Sequence, residues 1–338
     1  MRSATYDVRP GAPKRPRRTL CLLVACTGAA LALGACSGSD GGTAEARAQD
    51  ATPPTRTAAQ SIDWKKVDSA MGRSGTMQKD GAYRYSMPRS DLRVRLDGVV
   101  ISPALALGSW LAMKPAGSGV MAMGDLVLTQ DEVPAVIAAL RKGGVMQTAL
   151  HNHLLRESPH VMYLHVHGDG DAVAIARAVH QALAATATPP GAASSGQSAS
   201  PAARQPLALD TAAIDRELGR HGSSSGGVYH VSVPRAQAVR MAGVEIPPSM
   251  GVATALNFQP TGGGKAAING DFVMTADEVN AVIQALEESG IQVVAVHNHM
   301  LREEPRLFFL HFWANDDAVK LAHGLRGALD RMAVQRAP

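Results

Sequence analysis

A helical spacing of apolar residues, followed by two alternating stretches, is the clearest hydrophobic pattern in the chain. In 275–290 (TADEVNAVIQALEESG), Thr275 and Glu278 form a T-x-x-E capping box and Gly290 ends the segment. The apolar positions at helical spacing are Val279, Val282, Ile283 and Leu286. AAINGDFVM before this helix and IQVVAVHNH and RLFFLHFW after it predict strands, and DDAVKLAHGLRGALD predicts a second helix.

The same pattern occurs twice in the chain. Residues 124–167 align with 270–313 without a gap, at a constant offset of 146 residues. A period above one hundred residues indicates a duplicated domain rather than a solenoid. We therefore predict an α+β fold of two repeated β-α-β-β-α (ferredoxin-like) units, with largely antiparallel sheets, packed as a pseudo-dimer.

Small polar segments that contain proline mark the predicted boundaries. SGSDGGTAEARAQDATPPTRTAAQ and TPPGAASSGQSASPAARQP have the composition of flexible linkers. The predicted organisation is a signal peptide at 1–35, a flexible tether at 36–60, repeat domain 1 at 61–187, a Pro/Ala/Ser linker at 188–207 and repeat domain 2 at 208–332.

The N-terminus has the features of an export signal. Basic residues precede the apolar run TLCLLVACTGAALALGA, which suits a signal peptide better than a transmembrane helix. The run ends in LGAC, which resembles a bacterial lipobox, and this resemblance implies a lipid anchor on Cys36. An ordinary secretory signal is the alternative. We expect a lipid-anchored, exported protein of the bacterial cell envelope, on the periplasmic side.

Removal of the leader changes both the charge and the cysteine content. Residues 1–35 hold six basic residues and one acidic residue, a net charge of +5, so a chain of +4 becomes about −1. A basic chain that binds nucleic acid is therefore not indicated. Cys21 and Cys26 leave with the leader and Cys36 carries the lipid, so any metal site must use His, Asp, Glu, Met or backbone groups.

Eight of the twelve histidines fall in two matching windows, 148–167 and 294–313. A hairpin that turns at Glu304–Pro305 places His297 opposite His311 and His299 opposite Phe309, so three imidazoles converge on one patch of sheet. The predicted metal ligands are His297, His299 and His311 in the second copy and His151, His153, His165 and His167 in the first.

Three neutral imidazoles with a carboxylate or water predict Zn²⁺, and the thioether of Met300 nearby would favour copper. A metal-free polar cleft and purely structural histidines remain open alternatives. Asp125 and Asp271, in the dipeptide GD of both copies, are expected in a turn, with a place in the histidine cleft as the alternative.

Glu157 and Glu303 are the candidate catalytic residues. Each follows an arginine, Arg156 or Arg302, in the loop of its hairpin. Such a pair can serve as an acid–base group or an anion clamp, and equally as a salt bridge at the hairpin tip.

The second copy resembles a known family through HNHM, EEPRLFFLHFWA and the GDF turn. These motifs are similar to the LppY/LpqO-type bacterial lipoproteins, a duplicated domain of unknown function, and the resemblance covers both repeats. It implies an envelope lipoprotein and brings no established activity. The first copy departs from this family pattern, because it contains HNHL, ESP and YLHVHGDGD. The resemblance therefore does not imply equal functions for the two copies.

Two classes of function follow. The first is an envelope lipoprotein that binds a metal or a small ligand through its His-rich hairpins. It would sequester a metal or present it to an envelope protein partner. The second is a zinc-dependent hydrolase acting on cell-wall material. His165-x-His167 and His167-x-x-x-Asp171 are similar to fragments of lysostaphin-type ligand motifs, although their order and spacing differ. Whether the chain is an enzyme stays open.

Overall fold

The computed structural model describes residues 62–191 and 207–336. The predicted signal peptide, the lipidation site Cys36 and the tether up to residue 61 lie outside the described residues. Within the two described ranges, no helix combines the length and the apolar content needed to cross a membrane.

The two halves of the described chain share one order of helices and strands. The first half contains α1 (Trp64–Met71), β1 (Thr76–Met77), β2 (Tyr83–Pro88), β3 (Arg95–Leu96), β4 (Val99–Val100), α2 (Pro103–Ala106), β5 (Gly108–Ala116), β6 (Gly119–Thr129), α3 (Val133–Lys142), β7 (Met146–His151), β8 (Val161–Gly170) and α4 (Ala172–Leu183). The second half contains α5 (Thr211–Leu218), β9 (Ser223–Ser225), β10 (Val228–Pro234), β11 (Val239–Met241), β12 (Val244–Ile246), a 3-10 turn (Pro248–Met250), β13 (Ala253–Gly262), β14 (Lys265–Met274), α6 (Ala276–Glu288), β15 (Gln292–His297), β16 (Glu303–Glu304), β17 (Phe308–Asp317) and α7 (Ala318–Leu329). The internal repeat in the sequence is therefore a repeat of structure.

Each half is built on a six-stranded antiparallel sheet. The strand orders are β1-β2-β5-β6-β8-β7 and β15-β17-β14-β13-β10-β9. In the first half β8 lies between β6 and β7, which α3 connects, and β17 has the same place in the second half. The predicted α+β class with mostly antiparallel sheets and two similar halves is confirmed.

Both faces of each sheet are buried. Alternate residues of a strand point to opposite faces. On β17, Leu310 and Phe312 pack in the cluster that contains Leu325 of α7, whereas Phe309 packs in a cluster that contains Met123 of the first half. The layers are therefore helices, sheet, sheet and helices, with the two sheets in contact. Burial on both sides explains why this strand reads as an almost continuous apolar run.

A buried arginine and a helix-capping glutamate form an ion pair in each half. The predicted capping box is present, because the Thr275 N–H donates to Glu278 Oε2 at 2.7 Å. The same carboxylate accepts from Arg235 Nη1 at 2.7 Å, and Glu132 accepts from Arg89 in the first half at the same distance. Burial acts to raise the pKa of Glu278, but the hydrogen bonds from Arg235 and from backbone N–H groups lower it overall.

We expect Glu278→Gln to lower the free energy of unfolding by about 3 kcal/mol, because it leaves the buried Arg235 guanidinium without its carboxylate. The folded-state pKa of Glu278 is lowered, so its contribution is full above the unfolded pKa and is lost as the pH falls through the folded pKa. Urea unfolding between about pH 7 and pH 3 should therefore show the parent and the variant converging in acid. The control is Glu287→Gln, an exposed position on the same helix, and equal losses in both variants would contradict the expectation.

Candidate metal centre

Three histidines from each half meet where the two sheets face each other. This six-histidine cluster consists of His151, His153 and His165 from the first half and His297, His299 and His311 from the second. His153 and His297 are half-buried and the other four are buried. The structure therefore brings together six of the seven histidines that the sequence predicts as ligands.

The hairpin register differs from the predicted one by two residues. β15 and β17 pair Ala295 with His311 and His297 with Phe309, so the predicted pairs of His297 with His311 and of His299 with Phe309 are wrong. A shift of one residue would turn every side chain to the other face, whereas a shift of two preserves the face. The imidazoles still converge, and the rings of His297 and His311 lie 4.7 Å apart as diagonal neighbours.

The cluster is interleaved across the two halves. The ring centroids are 3.5 Å apart for His151 and His297, 3.5 Å for His153 and His311, and 3.8 Å for His165 and His299. Each of these pairs takes one ring from each half; the first and third are stacked and the second is tilted by 30°. An aromatic ring covers the outer side in both halves, with Tyr163 3.5 Å from the His153 ring and Phe309 3.4 Å from the His299 ring. Neither half on its own contains the complete arrangement.

The Nε2 atoms of all six rings are buried and have no hydrogen-bond partner among the described residues. The Nδ1–H of His311 donates to the Gly270 carbonyl oxygen at 2.7 Å, which leaves the Nε2 lone pair free. The Nδ1 atoms of His151, His297 and His299 lie 3.3, 3.2 and 3.3 Å from backbone carbonyl oxygens. A backbone carbonyl on one ring nitrogen and a free lone pair on the other is the usual arrangement of a metal-binding histidine.

Two aspartates border the cluster from the middle of neighbouring strands. Asp125 on β6 pairs with His165, and Asp271 on β14 pairs with His311. The Asp125 Oδ2 atom lies 3.7 Å from Nε2 of His153 and 3.9 Å from Nε2 of His165. The expected turn role of both aspartates is wrong, because both lie within long strands and their carboxylates face the histidines.

The glycine before each aspartate allows close approach of the neighbouring strand. A Cβ atom on Gly270 would lie 1.8 Å from the carbonyl oxygen of Ala255, and one on Gly124 would lie 2.7 Å from that of Trp110. These contacts are far too short for any side chain. The repeated GD dipeptide is therefore explained as a close strand contact followed by a carboxylate in the site.

Burial keeps the imidazoles neutral. It lowers the pKa of His297 to about 3 and of His151 to about 4, and the pKa values of the other four rings lie well below the ordinary value. Burial also raises the pKa of Asp125 to about 7, partly offset by the positive charge of Arg84, and it raises that of Asp271 strongly. At neutral pH the site presents neutral nitrogen donors, the form that metal ions require.

The donor atoms are close enough to hold a transition metal. Two groups have ligand atoms within 4.8 Å of one another: His151, His297, His299 and His311, and His151, His153 and His165. Neutral imidazole suits zinc, copper and iron, and nearby carboxylates complete such sites. The residues therefore fit a centre for one or two ions.

His167 lies outside both groups of ligand atoms. Its Nε2–H donates to Asp169 Oδ2 at 2.7 Å, and its ring lines a different cavity from the one beside the cluster. The prediction grouped it with His165 because the two share one face of β8. The signal that separates them is the second copy, which keeps His311 at the position of His165 but has Trp313 at that of His167.

Glu157 and Glu303 stabilise their own loops. Glu157 contacts His160 at 2.6 Å and Glu303 contacts Arg306 at 3.2 Å, and each carboxylate accepts from the backbone N–H four residues later. Among the described residues, neither pairs with the arginine directly before it. Both buried carboxylates thus have local partners, which are not the arginines of the hairpin-tip salt bridges that the sequence left open.

A cavity of about 700 Å³ reaches the cluster from the side. Asp125, Asp271 and His299 contribute to its wall, and Arg84 does so from β2. The Arg84 guanidinium lies 4.1 Å from the ring centre of Trp110 and donates to the Ser249 carbonyl oxygen. Sequence reasoning missed Arg84, because no motif accompanies it and only the sheet brings it beside Asp125.

The family profile described as Domain of Unknown Function (DUF1259) matches the chain twice, at residues 65–185 and 212–331. The chain belongs to this family. The two matches coincide with the two structural halves, each of which contributes three histidines to the cluster and one aspartate beside it. A search of curated proteins finds no match.

Two solved structures show a low similarity to this member of the family. One is the trimeric bacterial microcompartment shell protein PduB, at 11% identity and a TM-score of 0.18, covering 75% of this chain and 88% of that one. The other is EtuB from Clostridium kluyveri, at 10% identity and a TM-score of 0.17, covering 75% and 90%. These values are too low to support an inference about fold or function.

We expect the metal-free protein to lose stability as the pH falls from about 6.5 towards 4. The unfolded chain takes up protons on the histidines near their ordinary pKa of about 6.5, whereas burial keeps the folded rings neutral to lower pH. The two aspartates act in the opposite direction, because their pKa values are raised on folding, but six groups outweigh two. Thermal unfolding in chelator across this pH range measures the effect.

His151→Asn/His297→Asn should flatten this pH dependence, because it removes the stacked central pair. His221→Asn, at an exposed position, is the matched control and should leave the curve unchanged. A parent protein that is equally stable at about pH 4.5 and pH 7 would contradict the buried neutral state of the cluster.

Proposed function

We propose that this chain is a bacterial cell-envelope lipoprotein, anchored by lipid on Cys36, that binds transition-metal ions at the six-histidine cluster. The single observation that carries the proposal is the set of six buried Nε2 atoms without a hydrogen-bond partner among the described residues. An unsatisfied buried polar group costs about 1–3 kcal/mol. Six such penalties would rival the whole stability of a domain, about 5–15 kcal/mol, and metal ions would relieve them together.

The proposed stoichiometry is two ions, one for each half. Each half supplies three imidazoles with one aspartate beside them. The two groups of close ligand atoms share His151, whose ring stacks on that of His297. Three histidines and a carboxylate favour Zn²⁺, with copper as the second metal. A protein of this kind would sequester the metal or present it to an envelope partner.

The finer architecture belongs to the same proposal. We infer that the halves are ferredoxin-like units arranged as a pseudo-dimer, in a lipoprotein of the LppY/LpqO type. The placement of β8 between β6 and β7 supports the unit, and the three close histidine pairs between the halves support the pseudo-twofold relation. The basic, apolar and LGAC segments of the leader support the anchor.

A zinc-dependent hydrolase acting on cell-wall material is the second candidate, and the 700 Å³ cavity favours it. A bound Zn²⁺ would supply a water of lowered pKa. Asp125 lines the cavity and its pKa of about 7 suits a general base, a role that the loop contacts of Glu303 disfavour for that residue. Arg84 would orient an anionic or carbonyl group of the substrate.

Metal content tests the binding function. The full chain, purified without a tag, should contain about two equivalents of zinc by inductively coupled plasma mass spectrometry, and His297→Ala/His311→Ala should lose at least one because two of its ligands are removed. The matched control is His221→Ala/His323→Ala, at two exposed histidines, which should keep the parent content. A parent that stays metal-free after incubation with Zn²⁺ and Cu²⁺ would overturn the proposal in favour of a cleft for an organic ligand.

Asp125→Asn separates the two candidate functions. If Asp125 is the general base, the variant should keep its zinc and lose about 100-fold or more in the rate of peptidoglycan hydrolysis. If Asp125 is only a ligand of a binding protein, zinc affinity should fall and the parent should show no hydrolysis. Ser232→Ala, at an exposed position of β10, is the control for both readouts.

A further inference from the structure

A second cavity, of about 410 Å³, is lined in part by residues of β8. Methionines from both halves line it: Met123 and Met146 from the first-half sheet, and Met241 and Met300 from the second half. Met123, Met241 and Met300 are buried, whereas Met146 is half-exposed at the mouth. His167 is the one imidazole in this wall that the six-histidine cluster does not use.

The ring of His167 is held in a defined tautomer. Its Nε2–H donates to Asp169 Oδ2 at 2.7 Å, and because a carboxylate oxygen accepts, the proton stays on Nε2. Nδ1 therefore carries a lone pair, and this atom is buried without a hydrogen-bond partner among the described residues. The residue is only 7% exposed. A carboxylate that orients a histidine from behind is a recurrent feature of metal sites.

Packing alone does not account for this cavity. Methionine is a common filler of irregular cores, but a thioether offers no proton donor to the buried lone pair of His167. The wall thus combines several thioethers with an imidazole nitrogen that has no hydrogen-bond partner among the described residues. We propose that this cavity is a Cu(I) site, with the sulfur atoms of Met123, Met241 and Met300 and the Nδ1 atom of His167 as ligands.

The chemistry of the donors selects the metal. Thioethers are soft ligands that favour Cu(I), whereas the imidazole and carboxylate groups of the central cluster favour zinc and other divalent ions. The two sites would therefore hold different metals. The Cu(I) site does not rest on the proposed function of the six-histidine cluster, although His299 borders both cavities.

The two copies differ at the positions that the first half contributes to this cavity. At the offset of 146 residues, Asn269 replaces Met123, Gln292 replaces Met146 and Trp313 replaces His167. Trp313 is buried, and its indole N–H donates to Asp97 Oδ2 at 3.0 Å. In the second half, the position of His167 is therefore filled by a large ring with a satisfied polar group.

The test is a Cu(I) titration of the full chain under anaerobic conditions, against a chromophoric Cu(I) chelator. We expect one equivalent that survives in His297→Ala/His311→Ala and is lost in Met123→Leu/Met241→Leu, which keeps the apolar volume but removes two sulfur atoms. Met250→Leu, in the same apolar cluster but outside the cavity wall, should bind as the parent does. Asp169→Asn should weaken binding about 10- to 100-fold by releasing the His167 ring.

Two results would overturn the site. One is Cu(I) binding that persists in Met123→Leu/Met241→Leu but disappears in His297→Ala/His311→Ala, which would assign the ion to the central cluster. The other is no chelator-resistant Cu(I) in the parent. X-ray absorption of the loaded parent does not depend on how the variants fold. Sulfur scatterers around the copper would support the site, and a shell of only nitrogen and oxygen would refute it. Loss of zinc with retention of Cu(I) in His297→Ala/His311→Ala would show that the two sites bind their metals independently.

Discussion

The burial of six neutral imidazoles between two facing sheets is the constraint on which the rest of this structure depends. Such rings tolerate burial only if their nitrogens are satisfied or bound. The surrounding sheets are covered by helices on their outer faces, and two apolar clusters flank the rings on the inner faces. The same burial that lowers the pKa values of the histidines raises the pKa values of the aspartates beside them.

The duplication creates the site rather than copying it. Each half offers three histidines and one aspartate, but the closest ring contacts are between halves. The centre is therefore complete only when the two halves are in contact. A metal bound there would stabilise this contact, and the stabilisation would increase with the affinity of the protein for the metal. The buried Arg–Glu pairs, by contrast, repeat independently within each half and support the helix starts.

The two copies have the same residues at the histidine positions of the cluster but differ at neighbouring positions. The three histidine positions of the cluster are the same in both copies, whereas His167 and Trp313 differ at one equivalent position further along the strand. This exchange, together with Asn269 in place of Met123 and Gln292 in place of Met146, accompanies a methionine-lined cavity beside His167 and a filled position at Trp313. One duplicated framework thus supports a shared site and a second site of different chemistry.

The sequence by itself determined the repeat, the α+β class, the helix after each GD dipeptide and the convergence of three histidines per hairpin. The repeat follows from the alignment of the two copies, and the other features follow from periodicities of 2 and 3.6 along the chain. It also left the lipid anchor on Cys36 and the choice of metal as predictions. Only the tertiary structure decided the register of the hairpin, the inward position of Asp125 and Asp271, and the separation of His167 from the cluster. The reason is physical: local patterns specify which face a side chain occupies, whereas the packing of one sheet on another decides what that face meets.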